Sequence, residues 1–553
     1  MIIKALVTVA VAATGQAAYA QQMIPGIGVQ LQQLPPPPVP EKATPDIVVE
    51  RHAAPKVRDG GGPTFRLAEL HIAGQTLYSE KELSAVAALP VGRDVTLDAL
   101  RNGAARISDF YNAHGYFLAR AYVPQQNIVG GSVTITILEG RYGKIAVRDQ
   151  AHYARRQAED MLSGLDSGDI VATAPLERRL LLLSDVPGVL VRSTLAPGTA
   201  VGTSDLIVDL AAAPRVSGDV EVDNAGNRYT GAYRVGGGIN FNEPLGIGDA
   251  LSVRLLASTG HLGYGRVAYQ APIGKLTVGV AYTHLHYALG REFKSLDADG
   301  TADIASLFAS YPVIRSRDLN INALADVDIE RLNDKTKLTD SRSRRDDGVL
   351  TLGFSGDSRD RSGSNSFSAG WSVGTLHFRD PLERALDALS AHSSGGFAKF
   401  QASFARLQTI TGPLSLYVLV RGQAALDNLD SSQKMELGGA YGVRAYPEGE
   451  AYGDTGYIAT AEAHLALGRL TAPLPGQFQL IGFVDNGQVR YAHNPWFSGS
   501  NHASRSGAGV GLNWAGPHGF GARVSYARRI GDERATSAPD KSGRTWFQVS
   551  KLF

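Results

Sequence analysis

Two residues near the C-terminus have the chemistry of a charged clasp rather than of a catalyst. Arg444 lies in Tyr441-Gly-Val443-Arg444-Ala445-Tyr446, just past a glycine-rich, strand-like run. A loop rich in Gly, Pro and Glu follows it and reaches Gly456. Asp485 lies in Gly482-Phe483-Val-Asp485-Asn-Gly487, within a second strand-like run. A guanidinium can fork onto a carboxylate through two parallel hydrogen bonds, which fixes orientation as well as charge. If Asp485 lines the inner wall of a barrel, Arg444 can pin the loop inside it. If not, these are two unrelated polar residues, and spacing alone leaves both readings open.

The elements that would have to position this pair begin after Pro214. From there to the last residue, runs with a period of two follow one another. Leu251, Val253, Leu255 and Ala257 share one face, with Ser252, Arg254 and Ser258 on the other. Ile321, Ala323, Ala325, Val327 and Ile329 oppose Asn322, Asp326, Asp328 and Glu330. Leu414, Leu416, Val418 and Val420 oppose Ser415, Tyr417 and Arg421, and Phe400, Ala402 and Phe404 oppose Gln401 and Ser403. A soluble β-rich domain also alternates. Many such runs, with no helical segment between them longer than Pro381 to Ala391, favour a closed transmembrane barrel, whose wall strands need only about 9–11 residues. Polar stretches at 291–303, 333–348, 357–365 and 447–456 read as exposed loops. The chain ends Trp546-Phe-Gln-Val549-Ser-Lys-Leu-Phe553. A terminal aromatic at Phe553 suits an outer-membrane insertion signal, and ordinary chain closure explains it equally well.

Composition agrees. The 553 residues carry a formal net charge of +1, so no bulk electrostatic case for nucleic acid exists. There is no cysteine, which excludes disulfide scaffolds and Cys-ligated zinc. Glycine is abundant at 63 residues and lacks a collagen period, as expected for a large antiparallel sheet with many turns. Residues 1–20 read as a signal peptide: Lys4, the apolar stretch Ala5 to Ala13, then Ala18-Tyr19-Ala20 as the cleavage site. Residues 21–63 read as an N-terminal segment and linker, with Pro35 to Pro38 and Pro40 favouring an extended spacer.

Between linker and barrel lie two small α/β units. In residues 64–140, Phe65 to Ile72 marks a strand ended by Gly74. Ser79-x-x-Glu82 is a capping box opening a helix, and Leu97 to Ala113 forms a second helix with Leu100, Ala104, Ile107 and Tyr111 on one face. Strands at 118–123 and 132–138 complete a β-α-α-β-β order. Residues 141–213 repeat that order without repeating its residues. Open sheet edges of such units can accept an extended peptide as an added strand.

Read together, these segments resemble the two-partner secretion transporters, the TpsB branch of the Omp85 superfamily, also called haemolysin secretion/activation proteins (ShlB/FhaC/HecB type). The resemblance covers nearly all of the mature chain. It rests on Val123-Pro-Gln125-Gln-Asn-Ile-Val-Gly130 and Glu139-Gly140 in the first unit, and on Asp223-Asn224-Ala-Gly226-Asn-Arg-Tyr229-Thr-Gly231 and Asn242-Glu-Pro244-Leu-Gly-Ile-Gly248-Asp249 where the barrel opens. It implies two α+β POTRA domains in the periplasm and a C-terminal 16-stranded transmembrane β-barrel (214–553) in the outer membrane. It also implies a salt bridge between Arg444 of a Val-Arg-Gly-Tyr-type loop and Asp485 of a Phe-x-Asp-x-Gly strand, with Val443, Tyr446, Phe483 and Gly487 as the surrounding motif residues. Ala445 stands where the family has glycine, which adds a methyl group and narrows the permitted backbone. Several members carry a plug helix before the linker; here residues 21–34 are broken by Pro25 and Gly26, leaving room for a turn or two over 28–34.

The implied function is export of a large, unfolded, secreted partner protein whose N-terminal secretion domain binds the POTRA domains. Outer-membrane lipid and the barrel assembly machinery would be further partners, and no cofactor, metal or nucleic acid is implied. An Omp85-type assembly or insertion factor is the nearest alternative, and the patterns around Asn224 and Pro244 favour secretion. An outer-membrane enzyme is the alternative of a different class. The chain is read as lacking both a nucleophile elbow and a His-Glu-x-x-His motif, and its 13 histidines do not form metal-ligand spacing.

Overall fold

The computed structural model describes residues 25–34, 46–49, 64–151, 155–470 and 475–553. The signal peptide, the proline run and the three linker glycines lie outside the described residues.

The first α/β module follows its capping signals. Ser79 Oγ accepts from the Glu82 amide at 3.2 Å and starts the helix Glu80–Ala87. Thr96 caps Leu97–Ala113 in the same way at 3.1 Å. Both helices lie on a three-stranded sheet in which Ser132–Leu138 is central, between Glu69–Ala73 and Arg120–Tyr122. Leu83, Ala104, Ile107, Tyr111, Ile135 and Ile137 form its core. The expected first strand is two short pieces, because Phe65–Arg66 turns away to pair with Asp94–Val95.

Glu139, which follows the central strand, is the polar centre of this module. Its carboxylate accepts from the Thr76 amide at 2.6 Å, the Leu77 amide at 3.0 Å, the Thr76 hydroxyl at 2.5 Å and the Tyr111 hydroxyl at 3.0 Å. Burial pushes this carboxyl up, but the hydrogen bonds outweigh it and hold it below its ordinary value.

The second module has helices Arg155–Met161 and Thr173–Ser184 and strands Arg141–Asp149, Val189–Pro197 and Thr203–Ala212, around a Leu- and Val-rich core. Its sheet carries a fourth strand. Asp46–Val49, expected as linker, pairs in parallel with Arg192–Leu195 along the edge of this sheet. The charged composition of 41–62 concealed the strand, because an added strand takes its bonds from a neighbour remote in sequence.

From Val216 onward, sixteen strands close into a barrel, each antiparallel to the next, and the first, Val216–Asp223, pairs with the last, Gly543–Leu552. The alternation is as expected. Val220 and Val222 face outward, while Asp219, Glu221 and Asp223 face the lumen. The polar stretches at 291–303, 333–348 and 357–365 are a correction: they mostly extend strands, and the fourth, 447–456, is a loop but largely buried rather than exposed. Leu319–Thr336 and Ser341–Asp360 pair from Thr336↔Ser341 to Leu319↔Ser358. Beyond the bilayer the ladder needs only backbone partners, so its side chains can be polar on both faces.

The second module is clamped to the barrel's short-turn rim. Arg315 forks onto Asp185 at 2.6 and 2.7 Å, and Arg317 reaches Glu177 at 2.9 Å.

Candidate functional site

Residues 426–454 connect strands Leu414–Ala425 and Thr455–Leu470 and fold back into the lumen. Leu437, Val443, Ala445 and Tyr446 of this loop pack on Ile458, Ile481, Phe483, Ala503 and Ala527 of the wall. Arg444 sits among them. Its Nε donates to Asp485 Oδ2 at 2.8 Å, its Nη2 to Oδ1 at 2.7 Å, and its own amide to Oδ2 at 3.1 Å. Asp485 is fully buried and also accepts from Thr460 Oγ1 at 2.9 Å. The two strand-like runs of the sequence thus meet as an inner-wall carboxylate and a loop guanidinium.

Glu462 and Trp546 were not legible as partners, whereas Phe483 belongs to the motif already named. Arg444 Nη1 donates to Glu462 Oε1 at 2.6 Å, and the other oxygen of Glu462 contacts His464 Nε2 at 2.7 Å. The guanidinium lies 3.4 Å from the centre of the Phe483 ring. Trp546 Nε1, on the last strand, donates to the Arg444 carbonyl at 2.7 Å. The one signal in sequence was Glu462 and His464 on the polar face of an alternating strand.

The remaining motif residues have separate duties. Gly487 leaves room for Leu437 of the loop, since a Cβ there would lie 2.5 Å from Leu437 Cδ1. Tyr446 is buried, and its hydroxyl donates to the Glu533 carbonyl at 2.9 Å. Ala445 has a negative φ, so the absence of glycine brings no left-handed strain. Phe553 exchanges backbone hydrogen bonds with Gly218, 2.9 and 3.0 Å, which extends the seam between last and first strands.

A second lumenal element is a short helix, Ile27–Gln32, one residue earlier than the segment expected to make a turn or two. Ile27 is buried against Tyr229, Leu285, Tyr287, Ala302 and Leu332. The Ile27 amide donates to Asp334 Oδ1 at 2.8 Å, and Thr230 Oγ1 donates to Gln30 Oε1 at 2.9 Å. Arg345 ties Asp334 to Asp430 at the start of the reentrant loop, so plug, wall and loop share one buried ionic group. Gln33 Nε2 donates to Tyr452 of the loop at 2.6 Å.

The opening patterns of the barrel support this arrangement. Asn224 receives the Phe547 amide at 2.7 Å and donates to the Thr545 carbonyl at 2.9 Å, bracing the seam. Asp249 is fully buried, accepting the Tyr269 hydroxyl at 2.9 Å and the Leu245 amide at 3.2 Å.

One pentapeptide corrects the reading that no nucleophile elbow is spelled in the chain: Gly370-Trp-Ser372-Val-Gly374 has that spelling. An elbow requires a sharp strand-to-helix turn. This one lies inside the strand Gly363–Phe378, with Ser372 Oγ and Thr351 Oγ1 2.8 Å apart. His284 and His286 lie side by side on the outward face of their strand, at its long-loop end, and His284 pairs with Asp303 at 2.8 Å.

A closed 16-stranded barrel, holding a pinned loop and a plug and carrying small α/β modules at its short-turn rim, defines an Omp85-type outer-membrane protein. The model of the haemolysin secretion/activation protein ShlB/FhaC/HecB family matches residues 202–514, and that of the ShlB-type POTRA domain matches residues 65–140. The first match spans more than half of the chain, and the chain belongs to that family: it is an outer-membrane transporter of the two-partner secretion type. The heme/hemopexin transporter protein HuxB of Haemophilus influenzae (strain 86-028NP) is 29% identical over 473 residues, covering 84% of this chain and 82% of the relative. The outer membrane transporter CdiB of Dickeya dadantii is 24% identical over 82% of this chain and 81% of its own. The solved structure of CdiB from Escherichia coli superposes with a TM-score of 0.69 at 20% identity, over 90% of this chain and 93% of that one, which shows the shared fold.

Proposed function

We propose that this chain carries one large secreted partner protein, unfolded, from the periplasm through the barrel to the cell surface, and that it makes and breaks no bond in its cargo. The observation that carries the reading is the pinned loop: the three hydrogen bonds from Arg444 to Asp485 fix the loop 426–454 to the inner wall of the barrel. In this reading the pair keeps the loop in a transport-competent position. The plug Ile27–Gln32 closes the resting pore and has to leave for cargo to pass.

The α/β modules are the cargo-binding part. Strand addition supplies backbone hydrogen bonds with little demand on sequence, which suits an unfolded client. The Val189–Pro197 edge of the second module already holds Asp46–Val49, so a client strand there has to displace it. The edge Arg120–Tyr122 of the first module has no such occupant among the described residues. Because Asp46–Val49 follows the plug in sequence, displacement would also free the tether of the plug.

The test is secretion. Deleting the gene should remove one high-mass protein from the culture supernatant. Restoring it as Arg444→Ala or Asp485→Ala should return a folded barrel, read by heat-modifiable gel mobility, without that exoprotein. Normal secretion in both single variants sinks the proposed role of the pair.

A further inference from the structure

Where the second α/β module meets the barrel rim, some charges are matched and others are not. Helix Thr173–Ser184 sends Glu177 to Arg317 and is followed by Asp185, which holds Arg315, so both carboxylates of this face are already paired. Between them the helix carries Arg178 and Arg179. Arg178 Nη2 donates to the Val313 carbonyl of the barrel at 3.2 Å. Lys275 sits in the turn between strands Gly263–Ile273 and Leu276–Ala288. Because Thr277 pairs with Ser310, that turn comes level with the end of the strand that holds Val313.

Three cations thus converge, and among the described residues none of them has a carboxylate partner. All three are half-buried, so each keeps part of its side chain open. The protein does not satisfy them: Arg178 Nε and Arg179 Nη1 are shut off from solvent and meet no hydrogen-bond acceptor. A buried donor without an acceptor is costly, and more so on a charged group. Burial, and then the charges of Arg179 and Arg178, push the Lys275 ammonium below its ordinary value, as expected of like charges brought together. The adjoining surface is the lipid-facing one. Ile273, Tyr311 and Val313 lie on the outward side of their strands and are exposed. This is the periplasmic end of the wall, where the apolar band and its aromatic girdle give way to headgroups.

We infer that Arg178, Arg179 and Lys275 bind the phosphate of an anionic phospholipid of the periplasmic leaflet, whose acyl chains run along Ile273, Tyr311 and Val313. Phosphate oxygens accept charge-assisted hydrogen bonds from the three side chains and offset the repulsion among them. A zwitterionic headgroup fits less well, because its ammonium meets the same cluster. The bound lipid bridges module and wall beside the two ion pairs, and so fixes the second module against the plane of the membrane.

The full chain, purified in a neutral detergent and freed of lipid, is titrated with phosphatidylglycerol, and bound lipid is counted by native mass spectrometry. Arg178→Gln, Arg179→Gln and Lys275→Gln together are expected to weaken binding by on the order of a hundredfold, and Lys275→Gln alone by about fivefold. Removing as many charges from the exposed surface of the first module, by Lys81→Gln, Arg93→Gln and Arg120→Gln, should leave binding near the parent level. Phosphatidylcholine should bind the parent far more weakly than phosphatidylglycerol does. Lys275 lies in a turn, so Lys275→Gln keeps the test valid if the triple variant fails to assemble, as read by heat-modifiable mobility. Equal binding by the parent and Lys275→Gln, equal affinity of the parent for the two lipids, or an equal loss in the first-module variant overturns the assignment. Displacement of bound phosphatidylglycerol by millimolar inorganic phosphate overturns it too, because the site then takes a free anion rather than a lipid.

Discussion

Ala445 and Gly507 share one space: a Cβ on Gly507 would lie 2.5 Å from the Cβ of Ala445. The loop methyl that departs from the family pattern is received by a glycine on the strand His502–Ala515. The departure is therefore compensated in packing, and the backbone at 445 carries no strain.

This pair predicts a rescue. Gly507→Ala forces two methyl groups together, and overpacking of this kind costs about 1–3 kcal/mol. The variant should melt at lower temperature and expose the loop to protease. Adding Ala445→Gly should recover most of the loss, with a coupling energy of about 0.5–3 kcal/mol between the sites. Purely additive effects in thermal melts of the four combinations would contradict the shared space.

Arg444→Lys should fail nearly as badly as Arg444→Ala. A lysine is a point charge and cannot reach both oxygens of Asp485, Glu462 and the Phe483 face at once. Removing one partner of a buried pair costs about 3–5 kcal/mol, chiefly because a charge is left alone. Trypsin cleavage after Lys434 measures the outcome: it should quicken in both variants, and equal resistance of Arg444→Lys and the parent would refute the claim.

Arg345 should govern closure of the resting pore. It joins Asp334, which holds the plug amide, to Asp430, and Arg345→Met strands both carboxylates. Conductance in planar bilayers should rise, with more frequent large openings, while heat-modifiable mobility shows an intact barrel. Unchanged conductance would mean that apolar contacts around Ile27 are sufficient to hold the plug.

The first α/β module should be acid-sensitive through Glu139. Its carboxyl is held below the unfolded value of about 4.3, so the folded form binds fewer protons than the unfolded chain. The stabilisation is fully present above that value and is lost as pH falls through the folded one. Glu139→Gln should flatten this dependence and lower stability near neutral pH. Differential scanning calorimetry of the detergent-solubilised protein between pH 3 and 7 reads it.

The sequence by itself determined every feature that depends on near neighbours. Period-two alternation set the barrel strands and which faces meet lipid, because successive side chains on a strand point to opposite sides. Ser79 and Thr96 set helix starts, because a cap acts over three residues. The residue types of Arg444 and Asp485 announced a clasp, although 41 positions separate them and spacing could not say that they meet.

The tertiary structure decided whatever depends on distant partners. A helix of six residues has no independent stability, so Ile27–Gln32 exists only because a wall more than 200 residues away buries Ile27. Asp46–Val49 became a strand because Val189–Pro197 offered an unpaired edge. The polar stretches became strands because a ladder can run on beyond the bilayer. Glu462 joined the clasp because Thr455–Leu470 pairs beside the strand of Asp485, with Thr460 opposite it. In each case the deciding contact is a tertiary one, within the barrel or, for Asp46–Val49, at the edge of the second module, and it brings together residues that no local pattern relates.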